Sequence, residues 1–160
     1  MLDALLEEFS SPFGTANVAV AAARLLGAML LAGIVGLERE WRDKPAGLRT
    51  HMLVALAACL FVQVGQQLSY VPINDAADLQ VGPLRLIEAV TAGVAFMAAG
   101  VIFTSRGRVR NLKTGASLWM AGATGVACGA GQMPLAALAT GIVVCVMVVV
   151  RRVEKWMGTY

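Results

Sequence analysis

The densest chemistry in the chain lies between Gly36 and His51. Glu38, Glu40 and Asp43 place three carboxylates within six residues, an oxygen-rich set of the kind Mg²⁺ prefers. The same carboxylates alternate with Arg39, Arg42 and Lys44. Glu38–Arg42, Arg39–Asp43 and Glu40–Lys44 are therefore opposite charges four residues apart, each stabilising a helix surface by about 0.2–0.5 kcal/mol. A self-paired helix continuing to Pro45 is the simpler reading, and no metal is assigned. His51, the single histidine, sits just inside the next apolar run, where an interfacial hydrogen-bonding role outweighs metal ligation.

Arg24 and Glu88 are the two other ionisable residues set inside apolar runs. A charge at the centre of a membrane helix costs about 2.5–3.5 kcal/mol, so each must face the bundle or snorkel. The expectation is that they pair across the first and third helices. That pair is either part of an ion or ligand path or a neutralised packing contact. Cys59, Cys128 and Cys145 lie in apolar runs without metal-site spacing and read as buried thiols. No nucleophile triad, phosphate-cradling glycine loop, paired metal motif or redox cysteine pair is present in the sequence. No catalytic residue and no cofactor is expected.

The elements that position these residues follow from composition. Of the 160 residues, 58% are hydrophobic and 14% charged, and mean hydropathy is +0.72. A water-soluble surface normally needs about a quarter of its residues charged, so lipid is the solvent this chain is built for. The fold class is all-α: a polytopic transmembrane bundle of about five spans. These run from Val18 to Leu37, Leu48 to Leu68, Leu84 to Thr104, Leu112 to Gly131 and Pro134 to Val150, the fourth diluted by Gly and Ala. Met1 to Gly14 has no basic residue ahead of an apolar run and is not a cleavable signal; it is either a short interfacial helix or disordered.

Basic residues orient the spans. Arg39, Arg42, Lys44 and Arg49 flank the first loop, Arg106, Arg108, Arg110 and Lys113 the third, and Arg151, Arg152 and Lys155 the tail. Asp75 and Asp78 mark the second connection. The positive-inside rule puts the N-terminus outside and the C-terminus in the cytoplasm, with Trp41 and Trp156 at the inner interface and Tyr70 at the outer. The divisions expected are a periplasmic segment (1–17), a transmembrane domain (18–150) and a cytoplasmic tail (151–160). Charges divided among three membrane-flanking segments do not make a nucleic-acid surface.

Small residues recur at helical spacing at Ala28, Ala32 and Gly36, and again at Ala121, Gly125 and Gly129, faces that let backbones approach closely. Such faces also admit a homo-oligomer. Sliding the first hairpin by 64 residues aligns Gly36 with Gly100, Arg42 with Arg106, Leu48 with Leu112 and Thr50 with Thr114, and it superposes Arg24 on Glu88. That register fits a parallel repeat of two hairpins, although Gly- and Ala-rich helices also coincide by chance.

The strings Arg24-Leu25-Leu26, Gly36-Leu37-Glu38-Arg39-Glu40 and Lys44-Pro45-Ala46-Gly47-Leu48-Arg49-Thr50-His51 resemble the opening signature of the MgtC/SapB family of bacterial inner-membrane proteins. Arg85, Gly93, Phe96, Ala99-Gly100-Val101-Ile102, Arg106-Gly107-Arg108-Val109 and Ala116-Ser117-Leu118-Trp119 look like its third and fourth helices. The resemblance implies a protein linked to growth under Mg²⁺ limitation, modulating other membrane machinery such as ATP synthase or a transporter. A transporter or channel for Mg²⁺ or another small ion is the alternative. The matching positions are Arg24, Glu38, Arg39, Glu40, Pro45, Gly47, Arg49, Thr50 and His51. Two departures stand out. Members resembling the virulence factor carry a soluble C-terminal domain, whereas this sequence ends ten residues after its last expected span. The third helix has Glu88, with Ala89 where the family often has Gln, and Ala95 and Ala98 where it often has Gly.

Overall fold

The fold comes from a computed structural model, which describes residues 17–69, 82–105 and 108–158. Met1 to Gly14, Tyr70, Asp75, Asp78 and Arg106 lie outside the described residues. The helices are α1 (Val18–Glu40), α2 (Leu48–Leu68), α3 (Pro83–Val101), α4 (Leu112–Gly129) and α5 (Met133–Trp156). Between α3 and α4 the strands β1 (Phe103–Ser105) and β2 (Arg108–Arg110) pair antiparallel, Phe103 opposite Arg110 and Thr104 opposite Val109.

The all-α reading with five helices holds, and α2 has the bounds that hydropathy predicts. The first residues of α2 and α4, Leu48 and Leu112, are also superposed by the 64-residue offset. Three boundaries differ. The helix α1 stops at Glu40 and turns through Trp41–Asp43 instead of running to Pro45. Asp43 there adopts a positive φ of 49°, which no helix continues through. The third span ends at Val101, because the next residues enter the hairpin. The last helix runs on through the basic residues to Trp156.

By length and composition α1, α2, α3 and α5 could each cross a membrane; α4 falls outside that set. Its position explains why. The helix α4 packs against all four others, whereas α3 has no substantial contact with α1. Thr114, Gly115, Ser117, Gly122, Thr124 and Gly125 are buried on it, so its polar and small residues meet protein and not lipid. By contrast α3 and α5 expose rows of large apolar side chains, among them Leu84, Phe96, Ile142 and Val149. Such surfaces need hydrocarbon around them.

Close approach of backbones sets the spacing. A Cβ at Gly125 would lie 2.2 Å from the Ala55 carbonyl oxygen, and one at Gly129 2.8 Å from that of Cys59. On α1, a Cβ at Gly36 would lie 2.8 Å from Cα of Leu48. The expected packing glycines Gly36, Gly125 and Gly129 are thus at true contacts, while Gly100 has nothing within 4 Å of a Cβ and is not a packing point within one chain. Gly122 performs that role against Val94 of α3, and Gly115 against Ile102 just past its end.

Gly125→Ala should therefore destabilise the detergent-solubilised protein by about 1–3 kcal/mol, the usual cost of overpacking. Gly141→Ala, where a Cβ meets nothing within 4 Å, should leave thermal unfolding unchanged or raise its midpoint.

Candidate functional site

One end of the bundle gathers the C-termini of α1, α3 and α5, the N-termini of α2 and α4, and the hairpin. The basic residues Arg42, Lys44, Arg49, Arg108, Arg110, Lys113, Arg151, Arg152 and Lys155 fall at that end. Beneath them is a polar cluster that joins α1, α2 and α4.

Arg39 is its centre. It is 5% exposed, and its guanidinium donates to the hydroxyl of Thr114 at the start of α4. The expected Arg39–Asp43 pair does not form, because this side chain points into the bundle and Asp43 lies past the end of the helix. Glu38 does pair with Arg42 as the spacing predicts. The second Glu38 oxygen and Arg39 Nε are buried without a hydrogen-bond partner among the described residues. Unsatisfied groups of that kind are costly.

Glu40 likewise leaves its expected partner Lys44. Its carboxylate accepts from the Leu48 backbone N–H at 2.9 Å and so caps α2 across the turn. A carboxylate at a helix N-terminus is favoured both by the free N–H groups and by the helix dipole. The cap holds because residue 47 is glycine: a Cβ there would lie 1.7 Å from the same carboxylate oxygen. One turn into α2, His51 is fully buried. Its Nδ1–H donates to the Gly47 carbonyl at 2.8 Å, and its Nε2 faces Ser117 Oγ at 3.2 Å. With Nδ1 protonated, neutral Nε2 is an acceptor, so the Ser117 hydroxyl divides its one proton between Nε2 and the Thr114 carbonyl, 2.9 Å away. His51 is an interior strut, not an interface group. Arg49 is exposed and Thr50 half-buried on the outer side of the same turn.

The charges nearer the other end do not meet. Arg24 donates to the Gly129 carbonyl at 3.2 Å. It serves the C-terminus of α4, where a cation suits the helix dipole. That terminus closes as a Schellman motif, with Gln132 N–H bonded to the Ala127 carbonyl (2.8 Å) and Gly131 N–H to that of Cys128 (3.0 Å). Gly131 supplies the positive φ of 81° and leaves room for the guanidinium, 2.8 Å from a would-be Cβ. Glu88 is exposed on α3 and the expected Arg24–Glu88 pair is absent, since α1 and α3 are not packing neighbours. Among the described residues no group of three or more His, Cys, Asp or Glu could hold a metal ion. Cys59 and Cys128 are buried as expected, but Cys145 is exposed.

Thr114 and Ser117 are the members of the cluster that residue type alone does not single out. The signal available was two hydroxyls three residues apart on a glycine-rich helix, a face that buries well only against polar partners.

Residues 25–156 match the MgtC family model. The chain is 41% identical over 130 residues to the protein MgtC of Brucella abortus (strain 2308), covering 81% of this chain and 51% of that protein. It is 38% identical over 131 residues to the protein MgtC of Salmonella typhimurium (strain LT2), covering 82% and 52%. The chain thus spans about half the length of the curated relatives it matches. No solved structure matches. The chain belongs to the MgtC family and is a multi-pass membrane protein.

Two substitutions probe the cluster through thermal unfolding in detergent. Thr114→Val strands a buried guanidinium and should cost about 1.5–3 kcal/mol, with Thr114→Ser restoring most of it. Glu40→Ala should cost about 1 kcal/mol as a lost helix cap, with Glu40→Gln losing less.

Proposed function

We propose that this MgtC-family membrane protein is an accessory or regulatory component of Mg²⁺ homeostasis, needed when Mg²⁺ is scarce. It acts on other membrane machinery, such as ATP synthase or a transporter, and does not itself carry an ion. What supports this reading is the closed centre of the bundle. At Gly125 and Gly129 the backbones of α2 and α4 are in contact, and a side chain as small as alanine has no room there. Arg24 and Arg39, the two arginines of α1, are each held by α4.

In the cell the basic end of the bundle faces the cytoplasm and the N-terminus faces outward. Residues 1–17 are external, 18–150 form the membrane domain and 151–160 the cytoplasmic tail. The exposed Trp41 and Arg49 and the pair Glu38–Arg42 then present the surface that partners read.

Purified protein in liposomes should give no Mg²⁺ or other ion flux above that of empty vesicles; robust flux would overturn the accessory role. A deletion strain should grow normally in ample Mg²⁺ and poorly in scarce Mg²⁺, and Arg49→Ala should reproduce that defect without loss of protein from the membrane. A phosphatase reporter fused after Tyr160 should be inactive and a cytoplasm-dependent fluorescent reporter active; the opposite pattern would invert the topology.

A further inference from the structure

The helix α3 packs against α4 and, less, against α2, and leaves the rest of its surface uncovered. It buries Val94 and Ala98 toward α4. On the opposite side Arg85, Glu88, Ala92, Phe96 and Gly100 are all exposed, three or four residues apart, and so form one stripe. The stripe carries two full charges. Glu88 lies about 7.5 Å along the axis from the start of the helix. Among the described residues the ion pairs are Glu38–Arg42 and Lys113–Glu154, and neither Arg85 nor Glu88 takes part in one. A charged side chain facing hydrocarbon is costly, so such groups snorkel to the interface or face protein partners.

We propose that the outer face of α3 joins two copies of this chain side by side in the membrane, Arg85 of each pairing with Glu88 of the partner subunit. Copies inserted into one membrane share their orientation, so their α3 helices run parallel and a two-fold axis relates them. An interface on such an axis must complement itself: a residue near the axis meets its own copy, and one off the axis meets a different residue, reciprocally. Opposite charges on one stripe, separated by about 4.5 Å of rise, satisfy that requirement twice. Further along, Gly93 and Gly100 have nothing within 4 Å of a would-be Cβ, which leaves space for a second backbone. Phe96 is 85% exposed, and Gly93 and Met97 of the same helix line, with Leu53, Phe61 and Val64, an apolar groove of about 640 Å³. The groove offers a matching hole for the same ring from the other copy. A lipid tail could fill the groove but would leave both charges unpaired. The proposal stands apart from the accessory role and survives its failure.

The test uses two chains with different tags, one carrying R85E and one E88R. Each alone should self-associate about tenfold less than the unaltered chain, since both charges at its interface are then alike. Co-expressed, the two should co-purify as a heterodimer at close to the unaltered level. A pair confined to one helix predicts no recovery on mixing, and that result overturns the proposal. In a background with the native cysteines replaced by serine, A92C should cross-link to itself in native membranes and I142C, on the exposed face of α5, should not. Absence of the A92C product, or equal products at both positions, also overturns it.

Discussion

Helices in lipid gain no hydrophobic free energy by touching one another, so a membrane bundle is held by how closely its backbones fit. Here the decisive fit is between α2 and α4. Gly125 and Gly129 lie against the carbonyls of Ala55 and Cys59 and the Cβ atoms of Ala58 and Val62. With α4 seated there, its other sides fall to α1, α3 and α5. Leu118, Cys59 and Cys128 then complete the interior with almost no exposure.

The same seating sets the polar chemistry. Because α4 runs alongside α2, its first turn brings Thr114 and Ser117 next to Arg39 and His51. Its last turn presents the Gly129 carbonyl to Arg24. The two arginines of α1 thus grip opposite ends of α4. Between these ends Gly36 lets α1 lie close to α2, and Glu40 ties the turn that connects them. The charged string at the end of α1 is therefore a joint: Arg39 is held by a buried hydroxyl, Glu40 by a backbone N–H, and Glu38 with Arg42 forms a half-buried pair.

Much of the architecture was legible in the sequence. Apolar length fixed α2, small-residue spacing singled out Gly125 and Gly129, and the basic residues fall at one end of the bundle. Spacing failed where a tertiary partner outcompeted a local one. A pair four residues apart contributes only a few tenths of a kcal/mol. That cannot hold Arg39 or Glu40 against a buried hydroxyl or an open helix N-terminus. The hairpin of β1 and β2 was missed because three-residue strands bear no periodicity that hydropathy detects. Arg24 and Glu88 were matched by an offset along the chain, and an offset says nothing about which helices become neighbours.

The link between α4 and α5 bears on how the protein is made. Only Ala130, Gly131 and Gln132 separate the two helices. The first is too rich in glycine and hydroxyl groups to qualify as a span alone, and the second is the most apolar of the four candidate spans among the described residues. During synthesis α4 leaves the ribosome with little to gain from hydrocarbon, and its affinity for the bilayer comes from the company it keeps. A strongly apolar follower on a three-residue tether lets the two enter as a single hairpin. The central helix of the finished bundle is thereby the one whose insertion depends most on the chain synthesised after it.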